Sequence, residues 1–280
     1  MPDRQPVLVV TDSTSDIPKH MAEALGIEIV ALTISFDGEL FRDGIDLTPD
    51  EFITRLRQAP NLPKTSQPAV TSFSSVFRDA RDRGQDIVCI TVSAELSGTH
   101  NAARLAAEDI DPDHIRIIDS RAATMQLGWV AIAAARIAQL GAEIDRVAEA
   151  ASTAKARVKM YAVLQTLDYV YKGGRIGRAQ QLVGSALAIK PILSIVEGVL
   201  VPVERVRTWK KAIARAGDLI TPTPSDVIVL HSDNFADAQS VAAGLSLTYP
   251  EATMEITFVG ATITTYAGPG AIGVAALYPE

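Results

Sequence analysis

The chain has 280 residues and a formal net charge of -7, and 48% of its residues are hydrophobic while 5% are aromatic. This length accommodates one large domain or two ordinary ones, each with an aliphatic core. The acidic balance, without any block of like charges, argues against general nucleic-acid binding, which usually needs a basic face.

The cysteine content and the first residues bear on the cellular compartment. Cys89 is the one cysteine, and a lone thiol inside a predicted buried strand excludes internal disulfides and four-cysteine zinc sites. Residues 1–6 lack the apolar core of a signal peptide, and no apolar run reaches the roughly 20 residues that span a bilayer. We therefore expect a soluble, cytoplasmic protein.

Strand-like and helix-like segments alternate through the first half of the chain. Apolar runs predict strands over residues 7–10, 27–34, 87–92 and 115–120. Helices are predicted to begin at Thr48 and near Thr71, and to cover residues 100–107, 124–140 and 144–156. Asp37-Gly38 between apolar residues predicts a hairpin. Recurrent βα units indicate a parallel sheet covered by helices.

The second half mixes hairpins with helical segments. Predicted strands cover residues 160–164, 191–196, 199–203, 227–230, 253–259 and 272–277. Glu197-Gly198 predicts a hairpin, and a helix is predicted over residues 178–189. Hairpin strands beside βα units indicate a mixed sheet. The boundary near residue 157 gives an α/β architecture with an N-terminal domain, 1–157, and a C-terminal domain, 158–280.

A turn between a predicted strand and a predicted helix is the strongest candidate for a binding site. Residues 96–99 read Leu-Ser-Gly-Thr, and the helix begins at His100. The first turn of a helix has unpaired N–H groups and the positive end of the dipole, and Ser97 and Thr99 add hydroxyls beside Gly98. The turn therefore predicts a site for a phosphate, a carboxylate or an oxyanion.

Serine and threonine also follow other predicted strands. They include Thr11, Ser13, Ser15, Thr65, Ser66, Ser120, Thr264 and Thr265. Ligands of open α/β sheets bind beyond the carboxyl ends of the strands, so these hydroxyls are consistent with one polar site. Capping of helices and turns explains them individually as well.

Metal binding and nucleophilic catalysis have less support. The four histidines are scattered, and Asp12 and Asp16 suit either Mg²⁺ or capping. Ser97 lacks the G-x-S-x-G elbow, and residues 173–177 match neither a phosphate-binding P-loop nor a dinucleotide fingerprint. We expect no metal, no cofactor and no catalytic residue.

Nine short motifs, in order along the chain, together resemble the DegV family. They are residues 11–18 (TDSTSDIP), 64–68 (KTSQP), 96–99 (LSGT), 118–120 (IDS), 167–169 (LDY), 172–177 (KGGRIG), 189–193 (IKPIL), 205–208 (RVRT) and 268–271 (GPGA). Most are weak alone, but the set is specific.

The resemblance implies a two-domain α/β fold with a fatty-acid tunnel between the domains. It implies a bacterial protein that is not itself an enzyme and that presents the acyl carboxylate to a separate, ATP-dependent fatty acid kinase, which feeds phospholipid synthesis. Thr65 and Ser97 match positions that bind the carboxylate, and Gly98 and Thr99 would add N-terminal donors of the helix.

The C-terminal motif departs from the family pattern, which usually reads His-Thr-Gly-Pro-Gly. Here Tyr266-Ala267 replaces His-Thr, so a phenol that cannot become cationic stands where the family has an imidazole. Ala69 replaces a common serine. Tyr266 therefore completes the expected carboxylate site in an altered form.

Two further groups of residues have expected roles in lipid binding and docking. Candidate walls of the acyl tunnel are Ile189, Ile192, Leu193, Ile195 and Ile263. Candidate residues for docking the kinase are Arg175, Arg205 and Arg207, with Lys210 and Lys211 nearby. Core packing and a solvated charged face are the ordinary alternatives for these two groups.

Two other functions are compatible with the same anion site. One is a hydrolase or phosphotransferase that uses Ser97 or Asp12 on a small acidic metabolite. The other is a regulatory module that its ligand merely stabilises. We expect a monomer, because a partner has to reach the head group.

Overall fold

The computed structural model describes residues 6–183 and 189–279. The strands are β1 (Val7–Asp12), β2 (Ile27–Val30), β3 (Thr33–Phe36), β4 (Glu39–Arg42), β5 (Lys64–Ser66), β6 (Asp86–Thr91), β7 (Ile115–Asp119), β8 (Val158–Val163), β9 (Lys190–Val196), β10 (Val199–Val206), β11 (Asp226–His231), β12 (Thr253–Phe258) and β13 (Ile272–Leu277). The α-helices are α1 (Lys19–Leu25), α2 (Pro49–Gln58), α3 (Val70–Asp82), α4 (Thr99–Ile110), α5 (Met125–Gln139), α6 (Ile144–Ala154), α7 (Asp168–Lys172), α8 (Trp209–Asp218), α9 (Phe235–Thr248) and α10 (Ala261–Ala267). Short 3₁₀ helices span Ser13–Ser15, Lys155–Arg157 and Gly177–Leu182.

The chain divides into two compact units, and each unit contains two separate stretches of the sequence. Of the described residues, those within 1–33 and 66–156 form the first unit, and those within 34–65 and 157–280 form the second. The predicted division at residue 157 puts residues 34–65 in the first domain, which differs from this grouping. The reason is burial, because Phe36 and Phe52 of this segment pack in one cluster with Ala261 of α10.

The first unit is built on a parallel sheet with the strand order β2-β1-β6-β7. Helices α3 and α4 pack on one face and bury Phe73 and Phe77, while α5 and α6 pack on the other. Because both faces are covered, these strands are apolar along most of their length rather than alternating. Cys89 lies buried in β6, and this burial raises the pKa of its thiol. The predicted parallel α/β/α layer structure is confirmed.

The predicted strand over residues 27–34 is two strands in two different sheets. β2 ends at Val30 and pairs with β1, whereas β3 begins at Thr33 and belongs to a sheet with the order β4-β3-β5. The apolar run continues across this point because both strands are buried. The predicted hairpin is confirmed, since Asp37 and Gly38 join β3 to β4 with φ values of 47° and 97°.

The second unit contains a mixed sheet with the strand order β10-β9-β8-β13-β11-β12. One face of this sheet packs against α8 and α9 around Ile192, Ile213 and Val241. Glu197 and Gly198 join β9 to β10 with φ values of 52° and 84°, so the predicted hairpin is confirmed. The predicted mixed sheet is confirmed as well.

The helix predicted over residues 178–189 is replaced by a shorter element. The structure has the 3₁₀ helix Gly177–Leu182, and residues 184–188 lie outside the described residues. Gly177 has a φ of 53°, and a Cβ there would lie 2.6 Å from the backbone oxygen of Leu200. This close approach to β10 requires glycine and fixes the start of the 3₁₀ helix.

Candidate functional site

Thr65 is the last residue of the segment 34–65, which belongs to the second unit. Their helix, α2, begins with a capping box, in which Thr48 accepts a hydrogen bond from the Glu51 N–H and Glu51 accepts one from the Thr48 N–H. The predicted helix start is therefore confirmed. Phe52 buries the inner face of α2, and Asp43 accepts a hydrogen bond from the N–H of Ala261 at 3.1 Å. Both contacts hold the segment against α10.

Thr65 and Tyr266 are joined by a direct hydrogen bond. Thr65 Oγ1 and the Tyr266 hydroxyl are 2.5 Å apart, and both residues are half-buried. The Tyr266 ring lies against Gly173, where a Cβ would come within 2.5 Å of it. The Arg175 guanidinium lies over the ring, 5.3 Å from its centroid, and Arg175 Nη1 donates to the Gly173 carbonyl at 2.9 Å. Two of the predicted carboxylate ligands are thus adjacent.

The loop after Tyr266 is fixed by glycine geometry and by a buried serine. Gly268 has a φ of 73°, and a Cβ there would lie 2.5 Å from the ring of Tyr169. Ser232 donates its hydroxyl to the Gly268 carbonyl at 2.6 Å and accepts the Ala271 N–H at 3.0 Å. The GPGA motif therefore anchors the C-terminal end of α10, and with it Tyr266.

A cavity of about 640 Å³ in the second unit contains both hydroxyls. Its lining consists of Ala59, Pro60, Asn61, Leu62, Pro63, Lys64, Thr65, Tyr169, Lys172, Gly173, Arg175, Thr265 and Tyr266. Three of these residues are cationic, and among the described residues that line the cavity none is acidic. The cavity is therefore suited to an anion. The sequence analysis did not name Lys64 or Lys172 as site residues, although both lie inside the motifs 64–68 and 172–177.

Ser97, Gly98 and Thr99 form their own group in the first unit. Ser97 Oγ and Thr99 Oγ1 are 2.8 Å apart, and the Thr99 N–H donates to Ser97 Oγ at 3.3 Å. Thr99 begins α4 and is fully buried, whereas Ser97 is half-buried. Ser97 is therefore the accessible hydroxyl of the turn, and Thr99 fixes its position.

Gln67 is a neighbour of this turn that the sequence analysis did not single out. The position a Cβ of Gly98 would take is occupied by the Gln67 carboxamide, whose oxygen lies 1.8 Å from it. Gly98 has a φ of -74°, so space rather than backbone strain explains the glycine. The Thr-Ser-Gln-Pro motif thus packs its amide directly on the Ser-Gly-Thr turn within the first unit.

Asp12 has a structural role in the first unit. Its carboxylate accepts hydrogen bonds from the N–H of Val92 at 2.7 Å, the N–H of Thr14 at 3.0 Å and the hydroxyl of Thr14 at 2.5 Å. These bonds tie the end of β1 to the end of β6. A carboxylate occupied in this way is a cap, which disfavours the alternative of Asp12 as a nucleophile.

The predicted tunnel residues do not share one face of the sheet. Ile192 points into the core beneath α8 and α9, whereas Leu193 faces the opposite way and clusters with Ile176, Ala271 and Tyr266. Successive residues of a strand alternate between faces, so Ile192 and Leu193 cannot line the same wall. This placement removes Ile192 from the predicted wall.

The other wall candidates keep compatible positions. Ile195 shares the face of β9 on which Leu193 lies, and it is buried. Ile263 lies in α10 and Ile189 immediately precedes β9, and both are half-buried.

The three arginines predicted to dock a partner lie on different elements. Arg175 lies in the loop between α7 and the 3₁₀ helix Gly177–Leu182, and it lines the cavity. Arg205 lies in β10, a strand at the edge of the sheet, and Arg207 follows it, both exposed to solvent.

Residues 6–183 and 189–279 contain no cluster of three or more His, Cys, Asp or Glu side chains arranged to hold a metal ion. Within the same ranges, no helix combines the length and apolar character that crossing a bilayer requires.

Comparison with known proteins identifies the family. The profile of a family described as "Uncharacterised protein, DegV family" matches residues 6–279. A DegV domain-containing protein of Streptomyces coelicolor is 38% identical over 274 residues, which cover 96% of this chain and 97% of that one. The crystal structure of DegV, a fatty acid binding protein from Bacillus subtilis, is 30% identical with a TM-score of 0.90, over 98% of this chain and 100% of that chain.

A further solved structure has a similar fold. It concerns fatty acid binding of a DegV family protein from Thermus thermophilus, with 27% identity and a TM-score of 0.91, over 98% of this chain and 100% of that chain. Sequence and fold agree along nearly the whole length, and the chain therefore belongs to the DegV family.

Proposed function

We propose that the protein binds one long-chain fatty acid and holds its carboxylate with hydroxyl groups. The observation that carries the proposal is the Thr65–Tyr266 hydrogen bond of 2.5 Å inside a cavity with a cationic lining. The fatty acid binding described for the related proteins of Bacillus subtilis and Thermus thermophilus supports it. Ser97, Gly98 and Thr99 complete the proposed carboxylate ligands.

The hydroxyl pair has one proton available for a ligand. Thr65 and Tyr266 carry two hydroxyl protons, and their mutual hydrogen bond uses one of them. The remaining proton is free to bind a carboxylate oxygen, and a hydroxyl that also accepts a hydrogen bond is the stronger donor. Because neither group becomes cationic, the favourable charge comes from the surrounding lysines and Arg175.

The acyl chain supplies most of the proposed affinity. Each buried methylene is worth roughly 0.8 kcal/mol, so about a dozen contribute on the order of 10 kcal/mol before the entropy of binding is subtracted. We propose that the acyl chain lies along a wall formed by Leu193, Ile195, Ile189 and Ile263.

We propose further that the protein acts as a cytoplasmic monomer without catalysis of its own. It would present the carboxylate to a separate ATP-dependent fatty acid kinase, and the acyl phosphate would feed phospholipid synthesis. Arg175, Arg205 and Arg207 would dock an acidic surface of that kinase. Their exposure on a protein with a net charge of -7 supports this, because exposed cations favour an encounter with an acidic surface.

Native mass spectrometry of the purified protein tests ligand binding directly. We expect one co-purified long-chain fatty acid per chain. Thr65→Ala and Ser97→Ala should each weaken fatty-acid binding about tenfold or more, because a hydrogen bond to a charged group is worth about 1.5–3 kcal/mol. Ser240→Ala, at an exposed serine of α9, is the matched control. An empty protein with an esterase activity that Ser97→Ala abolishes would refute the proposal.

The docking proposal has its own test. Arg207→Glu should slow phosphorylation of the bound fatty acid by the kinase while fatty-acid affinity stays unchanged. Lys19→Glu makes the same charge change at an exposed residue of α1. Equal turnover for the wild type and Arg207→Glu would show that Arg207 does not dock the kinase.

A further inference from the structure

The turn that follows β11 has a backbone conformation that few residue types adopt. Asp233 has a φ of 60°, in the left-handed region, where aspartate and asparagine are tolerated better than most other residues. The N–H of Asn234 closes the turn by donating a hydrogen bond to Nδ1 of the buried His231 at 3.3 Å. A turn fixed in this way is a firm support for the segments that contact it.

The backbone of this turn holds the loop that follows Tyr266. The N–H of Ser232 donates to the Ala271 carbonyl at 3.0 Å, and the Ser232 carbonyl accepts the Gly270 N–H at 2.5 Å. Asn234 Nδ2 donates to the Gly270 carbonyl at 3.3 Å, in addition to the bonds of the Ser232 hydroxyl. Because this loop ends α10, the turn fixes the C-terminal end of the helix that carries Tyr266.

A side chain of the same turn contacts α2, the helix that precedes Thr65. The Asp233 carboxylate forms an ion pair with the guanidinium of Arg57, in the last turn of α2. Residues 58–64 lead from there to Thr65, and both α2 and the turn belong to the second unit. The ion pair therefore joins the segment that carries Thr65 to the turn that fixes Tyr266.

The hydrogen bond between Thr65 and Tyr266 depends on the distance between these two segments. Its oxygens are 2.5 Å apart, and a shift of about 1 Å would exceed the length of a hydrogen bond between hydroxyl groups. The side chains of Arg57 and Asp233 are 61% and 37% exposed, and an exposed ion pair adds little to the stability of a fold. This ion pair is therefore better suited to setting a distance than to keeping the protein folded.

We propose that Asp233 is a positioning residue for the Thr65–Tyr266 hydroxyl pair. Its backbone gives the turn the shape that holds the loop after Tyr266, and its carboxylate holds the end of α2 that leads to Thr65. Neither Asp233 nor Arg57 is among the described residues that line the cavity, so both act through the hydroxyl pair. The inference rests on the proposed function, because it concerns the same carboxylate ligands.

Competition between dodecanoate and a fluorescent fatty acid at pH 8 tests the ion pair. Asp233→Asn keeps a residue type that tolerates the left-handed turn but removes the charge, and Arg57→Gln removes the charge of its partner. We expect each variant to bind dodecanoate about threefold more weakly, which lies within the range that exposed ion pairs contribute. Arg57→Lys retains the charge and should keep most of the affinity. Glu149→Gln breaks an exposed ion pair with Arg146 in α6, in the first unit, and should leave the affinity unchanged.

A double-mutant cycle with Thr65 distinguishes positioning from a general loosening of the fold. In the Thr65→Ala background, Asp233→Asn should cause no further loss, because its effect passes through the Thr65 hydroxyl. An equal loss in both backgrounds would overturn the proposal, since a destabilised fold weakens binding whether or not Thr65 is present. Unchanged affinity in both Asp233→Asn and Arg57→Gln would overturn it as well and would leave fatty-acid binding intact. Failure of the wild type to bind dodecanoate would overturn the proposed function and, with it, this inference.

Discussion

Tyr266 is held by neighbours of three different kinds. A hydroxyl contacts its oxygen, a guanidinium lies over one ring face, and Gly173 contacts the ring edge. Each contact restricts a different motion of the side chain, so the phenol keeps one position in the cavity. A residue held in this way is preorganised, and a ligand that binds to it loses little further side-chain entropy.

Gly173→Ala tests this preorganisation. The new Cβ would stand 2.5 Å from the Tyr266 ring, so the ring has to move away from Thr65 and Arg175. We expect fatty-acid affinity to fall by about 2 kcal/mol, roughly thirtyfold, which is the loss of a hydrogen bond to a charged group. Competition binding measures it. Gly244→Ala, at a helical glycine with open space around it, should leave the affinity unchanged, and equal affinities for both variants would contradict the argument.

His231 is a second residue whose surroundings have a measurable consequence. It is 2% exposed, and it packs against the rings of Phe235 and Phe258. Burial lowers the pKa of its imidazole, although the carboxylates of Asp233 and Asp50 oppose the shift. The unfolded chain therefore takes up the proton first as the pH falls through about 6.5.

The lowered pKa of His231 predicts how the stability of the protein depends on pH. His231 carries no penalty above its unfolded pKa, and this residue should lower the free energy of unfolding as the pH falls from 7.5 to 5.5. His231→Gln removes the titrating group, so its free energy of unfolding should fall less over the same interval in urea denaturation. Ser240→Ala, which removes no titrating group, should retain the wild-type slope. A steeper slope in His231→Gln would contradict the assignment.

At the scale of single residues, the motifs predict which residues form the site better than they predict how the side chains pack. The sequence places Thr65 and Tyr266 in motifs 201 positions apart, and the structure joins them by a hydrogen bond. Gln67 and Lys172 also lie inside motifs, but the sequence does not show that the amide of Gln67 packs on Gly98 or that Lys172 lines the cavity. Strand alternation predicts that Ile192 and its neighbours in β9 point to opposite faces. Which face Ile192 occupies depends on the residue at which the strand begins.

Among the elements, α2 has the clearest local determinants. Its capping box satisfies two backbone donors at the first turn, and Pro49 follows at the position where the missing N–H costs nothing. Such an element is encoded within a few residues, which is why its start is predictable from the sequence alone.

Thr48→Ala measures how much this start contributes. Loss of an N-cap side chain costs about 1 kcal/mol, and thermal unfolding followed by circular dichroism should show a lower Tm. Thr54→Ala is the matched control, because Thr54 bonds the Asp50 carbonyl within the same helix and alanine has the higher helix propensity. A Tm that falls equally in both variants would show that the cap is not the cause.

Elements defined by long-range pairing are predicted less well. The run over residues 27–34 has the composition of one strand, yet its halves pair with β1 and with β4. Similarly, the segment after Gly177 has a helical composition, but the approach of Leu200 imposes a tighter turn. In both cases a distant backbone decides the outcome, and hydrophobic periodicity contains no information about it.

At the scale of the whole molecule, the parallel and mixed sheets were predictable because each has its own pattern of runs and turns. The membership of residues 34–65 was not, since neither composition nor length marks where the chain changes unit. The buried cluster of Phe36, Phe52 and Ala261 is what assigns this segment to the second unit.

A fragment of residues 1–157 tests this assignment. It contains α2 but lacks Ala261 and Tyr169, so the apolar cluster around Phe52 is left partly uncovered. We expect the fragment to bind the dye anilinonaphthalene sulfonate much more strongly than the whole chain does. The same fragment with residues 34–65 replaced by a glycine-serine linker of equal length should bind less dye. Equal dye binding by the two fragments would indicate that the segment folds onto the first unit.

The grouping of residues 34–65 with the second unit also sets an order of events during synthesis on the ribosome. This segment is made well before Ala261, which packs in its aromatic cluster. The apolar face of α2 therefore lacks this contact while the residues in between are synthesised, which is a condition that chaperones recognise. The contact that joins Thr65 to Tyr266 can consequently form only after Tyr266 has been made.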